Sequence, residues 1–453
     1  MSDRRQPDLA RWNFSLNADG HLVLGGCDAV DLARRFGTPL HVVDEARLKG
    51  AVSDFRATLS AALGEVQPFY SYKTNCVPGV LRLLHAEGVG AESISPYETW
   101  LAIRLGLPGD RILYNGVNKS LEGLRLAAAH GVRSINIDSL DEVERLRSVL
   151  DAARAPLRVG VRVSTGAGWK AQFGVEVQSG EALEVFRRLH AIPQLVLSGI
   201  HVHLGTSIES PDVYVAAARA MMDLRAAVKQ STGAILDHLD LGGGFPVPTV
   251  REFGLWDTVF HKRLRRPARP PDPRRPGLAA FAERIGATLR ARAAIDGLPV
   301  PAVFVEPGRA LTSQAQVLLL SVGVVKRRAD GSRIAICDGG RSTCAAPLGN
   351  EYHELILANR ARDPGRVTHT IVGGLCTPGD WTYVRKDLPE LAPGDLLAVM
   401  DAGAYFTSFA NDFAFPRPAV VLASAGQARV LRRRESYEAL IAMDEEPAPP
   451  RTA

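Results

Sequence analysis

Eight strand-then-helix units run down this chain, and nearly every strand ends in a residue suited to chemistry. The strand patterns are PFYSYK, GAESIS, RILYNG, SINIDS, LRVGVRVS, SGIHVHLG, HLDLGGG and AVFVEPGR. Amphipathic stretches of helical period follow the first seven, such as VPGVLRLLHAEG and LDEVERLRSVLDAAR. Strands alternating with helical patterns imply a parallel sheet. Eight units predict an α/β fold, a TIM-type (β/α)8 barrel whose active site lies at the C-terminal ends of the strands. Those ends carry Lys73, Glu92, His203, Gly242, Gly243, Gly244, Glu306 and Arg309. They are far apart in sequence, and the barrel gathers them around one mouth.

The chain has 453 residues, whereas such a barrel takes about 250. The sequence predicts a barrel over 43–309 and a β-sandwich or β-barrel domain built from both ends of the chain, 1–42 and 310–453. After about residue 310 the pattern turns strand-rich, with QVLLLSVGVVKRR, SRIAICDGG, RVTHTIVGG, DLLAVMDAG and ARVLRRR, and before the barrel LVLGG and TPLHVVD read as strands. One segment near 249–276, ending in HKRLRRPARPPDPRRPG, interrupts the barrel. Its prolines forbid a regular helix there. It reads as an extended loop at the mouth, either a solvated insertion or a lid.

A hydrophobic fraction of 46% supplies a large core. The formal charge of +5 is small for this length and gives no reason to expect nucleic acid. No apolar run is long enough to span a bilayer, and MSDRRQPDLARW lacks a secretory apolar region. Cys27, Cys76, Cys337, Cys344 and Cys376 include no CxxC pair. The expectation is a cytoplasmic protein with no membrane partner.

Barrels often bind phosphate with the loops after strands seven and eight. Here these are Gly242-Gly243-Gly244 and Glu306-Pro307-Gly308-Arg309. A triple glycine also serves a tight turn. Beside Gly308 and Arg309 it reads as an anion cradle, because glycine lets backbone N–H groups approach and arginine adds a forked charge. Lys73 follows strand one. It reads either as a snorkelling residue or as a desolvated lysine, with lowered pKa, that forms a Schiff base with an aldehyde. Together with a phosphate site it points to pyridoxal phosphate. His203 is placed to stack on the pyridine ring, and His201 is expected to point the other way. The pair also reads as core or metal-binding; no third ligand has suitable spacing, so no metal is expected. Glu306 is placed to hold a proton on the ring nitrogen, which makes the ring a stronger electron sink.

The chain resembles the pyridoxal-phosphate decarboxylases of the alanine racemase-like fold, the group that includes diaminopimelate, ornithine and arginine decarboxylases. The matching motifs run in order: FGTPLHVVDE, YSYKTN, INIDSLDEVERL, KAQFGV, GIHVHLGTS, LDLGGGFPV, EPGR, CTPGD and DAGAY. The resemblance implies Lys73, Cys376, His203 and Glu306 as catalytic residues. It places Glu92, Thr206, Gly242, Gly243, Gly244, Gly308, Arg309 and Tyr405 around the cofactor. Cys376 would return a proton to the substrate carbon and would come from a partner subunit, so a homodimer with shared active sites is implied. Asp380 and Gly379 would shape its loop. Asp338, Arg341, Ala346 and Thr377 are the candidate substrate contacts.

Two positions depart from the family. Thr377 stands where an acid binds the distal ammonium of the substrate, and Ala346 stands where an arginine binds the distal carboxylate. These changes predict a bulky or conjugated substrate, of siderophore-precursor or carrier-bound type, with Arg341 on its distal carboxylate. The alternatives are a diaminopimelate decarboxylase of lysine biosynthesis, a racemase of the same fold, or a non-catalytic regulatory homologue.

Overall fold

The computed structural model describes residues 8–153, 155–169, 172–365 and 367–445, without the side chains of Thr258, Lys262, Arg263, Cys344, Ala345 and Ala346. The eight predicted strands are β1 (Val66–Ser71), β2 (Gly90–Ser93), β3 (Ile112–Tyr114), β4 (Ser134–Ile137), β5 (Leu157–Ser164), β6 (Leu195–His201), β7 (His238–Asp240) and β8 (Ala302–Val305). Each pairs in parallel with the next, and β8 returns to β1, closing a barrel. Residues of β2, β3 and β4 are buried throughout. That is the condition of parallel strands covered on one side by helices and on the other by barrel interior.

The helices start where their caps dictate. Ser95 accepts from the Glu98 N–H, and the Glu98 carboxylate accepts from the Ile94 N–H at 2.8 Å. This reciprocal box sets the helix Pro96–Arg104 just after β2. Behind β3, buried Lys119 donates to both oxygens of Glu142 at 3.0 Å and to the carbonyls of Gly116 and Asn136. A lysine with no exposed side-chain surface survives only when every donor is matched. The bond to Gly116 also pins the loop Gly116–Asn118 at the barrel mouth.

Residues from both ends of the chain build the second sheet. Leu40–Asp44 lies between Gln316–Arg327 (β9) and Ala419–Ser424. The run VLLLSVGVV explains β9: its first half is buried and its second half partly solvated, and a register shift at Val322–Val324 divides them. Arg333–Cys337, Val367–Val372, Leu396–Val399 and Gln427–Arg432 form where the sequence predicts strands, and Leu355–Leu357, Trp381–Leu388 and Ala419–Ser424 are among those it does not. Among the described residues no helix is long and apolar enough to cross a membrane.

The insertion is more ordered than expected. Arg251–Glu252 pairs antiparallel with Glu351–Tyr352 of the β-rich part. A short helix, Leu255–Asp257, and a π turn, Thr258–Arg263, follow. Arg251 grips Asp257 with both arms of its guanidinium, at 2.5 and 2.8 Å. The proline-rich remainder is irregular, as proline requires.

Candidate active site

The strand ends converge as predicted on the mouth of the barrel. Lys73 sits in the turn Tyr72–Thr74 that ends β1, its side chain about a third exposed. Its Nζ donates to Glu92 Oε2 at 3.3 Å. Burial opposes the ammonium charge, but Glu92, Tyr405, Glu306 and Glu98 together raise the lysine above its ordinary range. The expected lowering is therefore corrected: in the protein alone, carboxylates outweigh desolvation. Glu92 is itself buried and fixed by Ser71 Oγ at 2.5 Å and by Asn115 Nδ2 at 3.2 Å. Burial, reinforced by Glu92, pushes the neighbouring Glu98 up to about 7.

Glu306 lies at the centre of a second network. His201 Nε2 is 3.3 Å from one carboxylate oxygen and His203 Nδ1 is 3.7 Å from the other. Asn115 also donates to Glu306 and accepts from Asn136 Nδ2 at 2.7 Å. Burial works against ionisation of Glu306, yet the two imidazoles hold it well below the usual carboxylate range. Its neighbour Asp240 goes the other way. Burial and then the charge of Glu306 push it well up. The expectation that His201 points away from His203 fails: residues two apart on a strand share a face, and both imidazoles meet Glu306.

The structure also supplies the third potential metal ligand that spacing did not reveal: ligand atoms of His201, Asp240 and Glu306 lie within 4.8 Å of one another. Their arrangement serves the carboxylate, with one neutral acid and two imidazoles around one charge.

The glycines form a cradle. Gly244 has φ +94°, and a Cβ there would strike the Gly205 carbonyl; one on Gly243 would strike the Glu306 carbonyl. Gly243 N–H donates to His203 Nδ1 at 3.3 Å. Burial lowers the pKa of this imidazole, against the opposing pull of Glu306. A small pocket of about 50 Å³ joins Lys73, Thr206, Gly243, Gly244, Gly308 and Tyr405. Buried Thr74 Oγ1, Ser207 Oγ and Arg309 Nε around it have no hydrogen-bond partner. Orphaned donors beside glycine amides fit a phosphate group. Trp169 flanks His203 at 5.6 Å between ring centroids. Sequence reasoning did not single out Ser71, Asn115, Trp169, Ser207 or Asp240.

Arg309 has a neighbour the sequence did not predict. Its guanidinium makes a bidentate bond to Glu351, at 2.6 and 2.7 Å, and lies over the Tyr405 ring. Both members of the pair are largely buried. A larger cavity of about 580 Å³ opens from Lys73 and His203 to Arg162, Glu252, Glu351 and Phe409.

Cys376, Thr377, Asp338 and Arg341 do not line either pocket within one chain. They belong to a separate group. Asp380 accepts from Arg341 N–H at 2.6 Å and from Leu375 N–H at 2.7 Å, shaping the loop that exposes Cys376. Asp338 is exposed and accepts from the Ser321 N–H. The Arg341 side chain donates to the Gly379 carbonyl at 3.3 Å. The Ala346 side chain lies outside the described residues.

Comparison with known proteins agrees with this geometry. The family model "Pyridoxal-dependent decarboxylase, pyridoxal binding domain" matches residues 49–313. Diaminopimelate decarboxylase from Methanothermobacter thermautotrophicus is 32% identical over 96% of this chain and 98% of its own length. The enzyme of the same name from Actinosynnema pretiosum is 35% identical over 93% and 92%. The crystal structure of diaminopimelate decarboxylase from M. jannaschii superposes with a TM-score of 0.84 at 26% identity, covering 97% of this chain and 99% of that one. Lys73 after β1, the glycine cradle after β7 and Glu306 after β8 all lie within the matched region, and the chain belongs to the pyridoxal-dependent decarboxylases, enzymes that remove carbon dioxide from amino acids.

Proposed function

We propose that this enzyme decarboxylates an α-amino acid of the diaminopimelate type, with Lys73, His203 and Glu306 of one subunit and Cys376 of a partner subunit at each site. The observation that carries the proposal is Glu306, an ionised carboxylate buried among His201, His203 and Asn115 beside Lys73. The relatives reported above favour diaminopimelate over the siderophore-precursor or carrier-bound substrate expected from Thr377 and Ala346.

The residues divide the work by position. Gly243, Gly244, Thr206, Ser207 and Tyr405 would hold the phosphate of the cofactor, and Lys73 would hold its aldehyde. His203 would cover the ring face. Bound pyridoxal phosphate supplies a ring that takes up the electron pair left when carbon dioxide departs. Glu306 would hold a proton at the ring nitrogen, with His201, His203 and Asn115 around its carboxylate. A residue at pyridine nitrogen that stays anionic favours loss of carbon dioxide over return of the same proton, which weighs against the racemase. Asn115 and Ser71 hold Glu92 in place to keep Lys73 oriented. Cys376 would then deliver a proton to the substrate carbon.

Two experiments test this. Carbon dioxide release is measured for diaminopimelate, ornithine, arginine and a diaminopropionate conjugate. Diaminopimelate is expected to give the largest kcat/KM; preference for the conjugate would restore the bulky-substrate reading. For the shared site, inactive Lys73→Ala and Cys376→Ala proteins are mixed under conditions of subunit exchange. Roughly a quarter of wild-type activity is expected, because statistical exchange leaves half of the molecules as hybrids, each with one intact site of two. A mixture that exchanges but stays inactive would place Cys376 in its own subunit or outside catalysis.

A further inference from the structure

We propose that Glu252, on the insertion, is the residue that receives the distal ammonium group of the substrate, with Glu351 directly across from it completing the anionic end of the cavity. A substrate of the diaminopimelate type carries a second ammonium at its far end, and Thr377, beside Cys376, brings no charge to meet it. Glu252 and Glu351 are register partners in the antiparallel pair that joins the insertion to the β-rich part. Both line the cavity of about 580 Å³ that contains Lys73.

Their charges are unequal in company. Glu351 is held by the Arg309 fork and by His353 Nε2 at 3.1 Å. The other cations on the cavity wall are also engaged: Lys73 with Glu92 at 3.3 Å and Arg162 with Asp138 at 3.5 Å. Among the described residues no cation is paired with the Glu252 carboxylate. Like charges directly opposite across a strand pair destabilise each other, and burial followed by the charge of Glu351 raises the Glu252 carboxyl above its ordinary range. A ligand cation at this position relieves that repulsion, whereas a neutral end does not. The insertion thereby gains a role: it carries a specificity residue into the cavity, and the Arg251–Asp257 clamp holds its strand in place.

The inference rests on the decarboxylase reading only for the class of substrate. Its test is a binding measurement on the cofactor-loaded protein, so turnover is not required. Calorimetric titration compares 1,5-diaminopentane with pentylamine, on wild type and on Glu252→Gln. Wild type is expected to bind the diamine at least about tenfold more tightly, and the variant is expected to lose that preference while its affinity for pentylamine stays within about twofold. An unchanged diamine preference in Glu252→Gln, or none in the wild type, overturns the proposal. If the preference behaves as expected and no amino acid releases carbon dioxide, the reaction proposed above fails and this assignment stands.

Discussion

Lys73→Ala protein is expected to purify without the yellow colour of the wild type and to lose decarboxylation by at least about a thousandfold, roughly 4 kcal/mol in the barrier. The size follows from the position. Lys73 is the lysine that the barrel brings into both pockets of the site. Its amine is anchored by Glu92, and Glu92 in turn by Ser71 and Asn115. Removing it deletes the group that holds the cofactor aldehyde, and no other side chain in the small pocket has an amine to replace it. The variant should still fold, because a side chain about a third exposed contributes little to the core. Loss of colour and activity is checked by visible absorption and carbon dioxide release, with circular dichroism confirming the fold. A variant that keeps its colour would move the attachment point to another lysine.

Glu306→Gln carries the second large effect. Glutamine keeps the shape and the hydrogen bond with Asn115, but it cannot hold a proton at the ring nitrogen with a negative charge. A lost preorganised charge of this kind lowers kcat by about a hundredfold to a thousandfold. Affinity for the cofactor should change far less, because the cradle of Gly243 and Gly244 and the link at Lys73 are untouched. Measuring kcat beside the cofactor Kd separates these. Equal losses in both would make Glu306 a structural residue.

Much of this site was legible because barrel chemistry collects at strand ends. Lys73, Glu92, His203, the glycines and Glu306 each follow an apolar run, and that pattern alone brings them together. Strand length is harder to read. His201 was misassigned because residues two apart on a strand share a face, so it accompanies His203 rather than opposing it. Asp240 escaped notice because it ends a three-residue strand just ahead of conspicuous glycines. Glu351 meets Glu252 through a strand contact between residues about a hundred positions apart and meets Arg309 from 42 positions away, which local pattern does not encode. The raised pKa of Lys73 likewise comes from groups far from it in sequence, Glu92 on β2, Tyr405 and Glu306 just after β8. The β-rich part was read correctly where β-branched runs were long, as in β9, and missed where charge interrupts the run, as in Trp381–Leu388.

The central claim is that this cavity removes carbon dioxide from the α-carbon of an amino acid and returns a proton there. The most direct measurement is product analysis of the cofactor-loaded wild-type protein acting on diaminopimelate in deuterium oxide. The account predicts carbon dioxide and lysine in equal amounts, with a single deuteron at the carbon that lost the carboxylate. Recovery of diaminopimelate that has gained deuterium and changed configuration, without release of carbon dioxide, would contradict it.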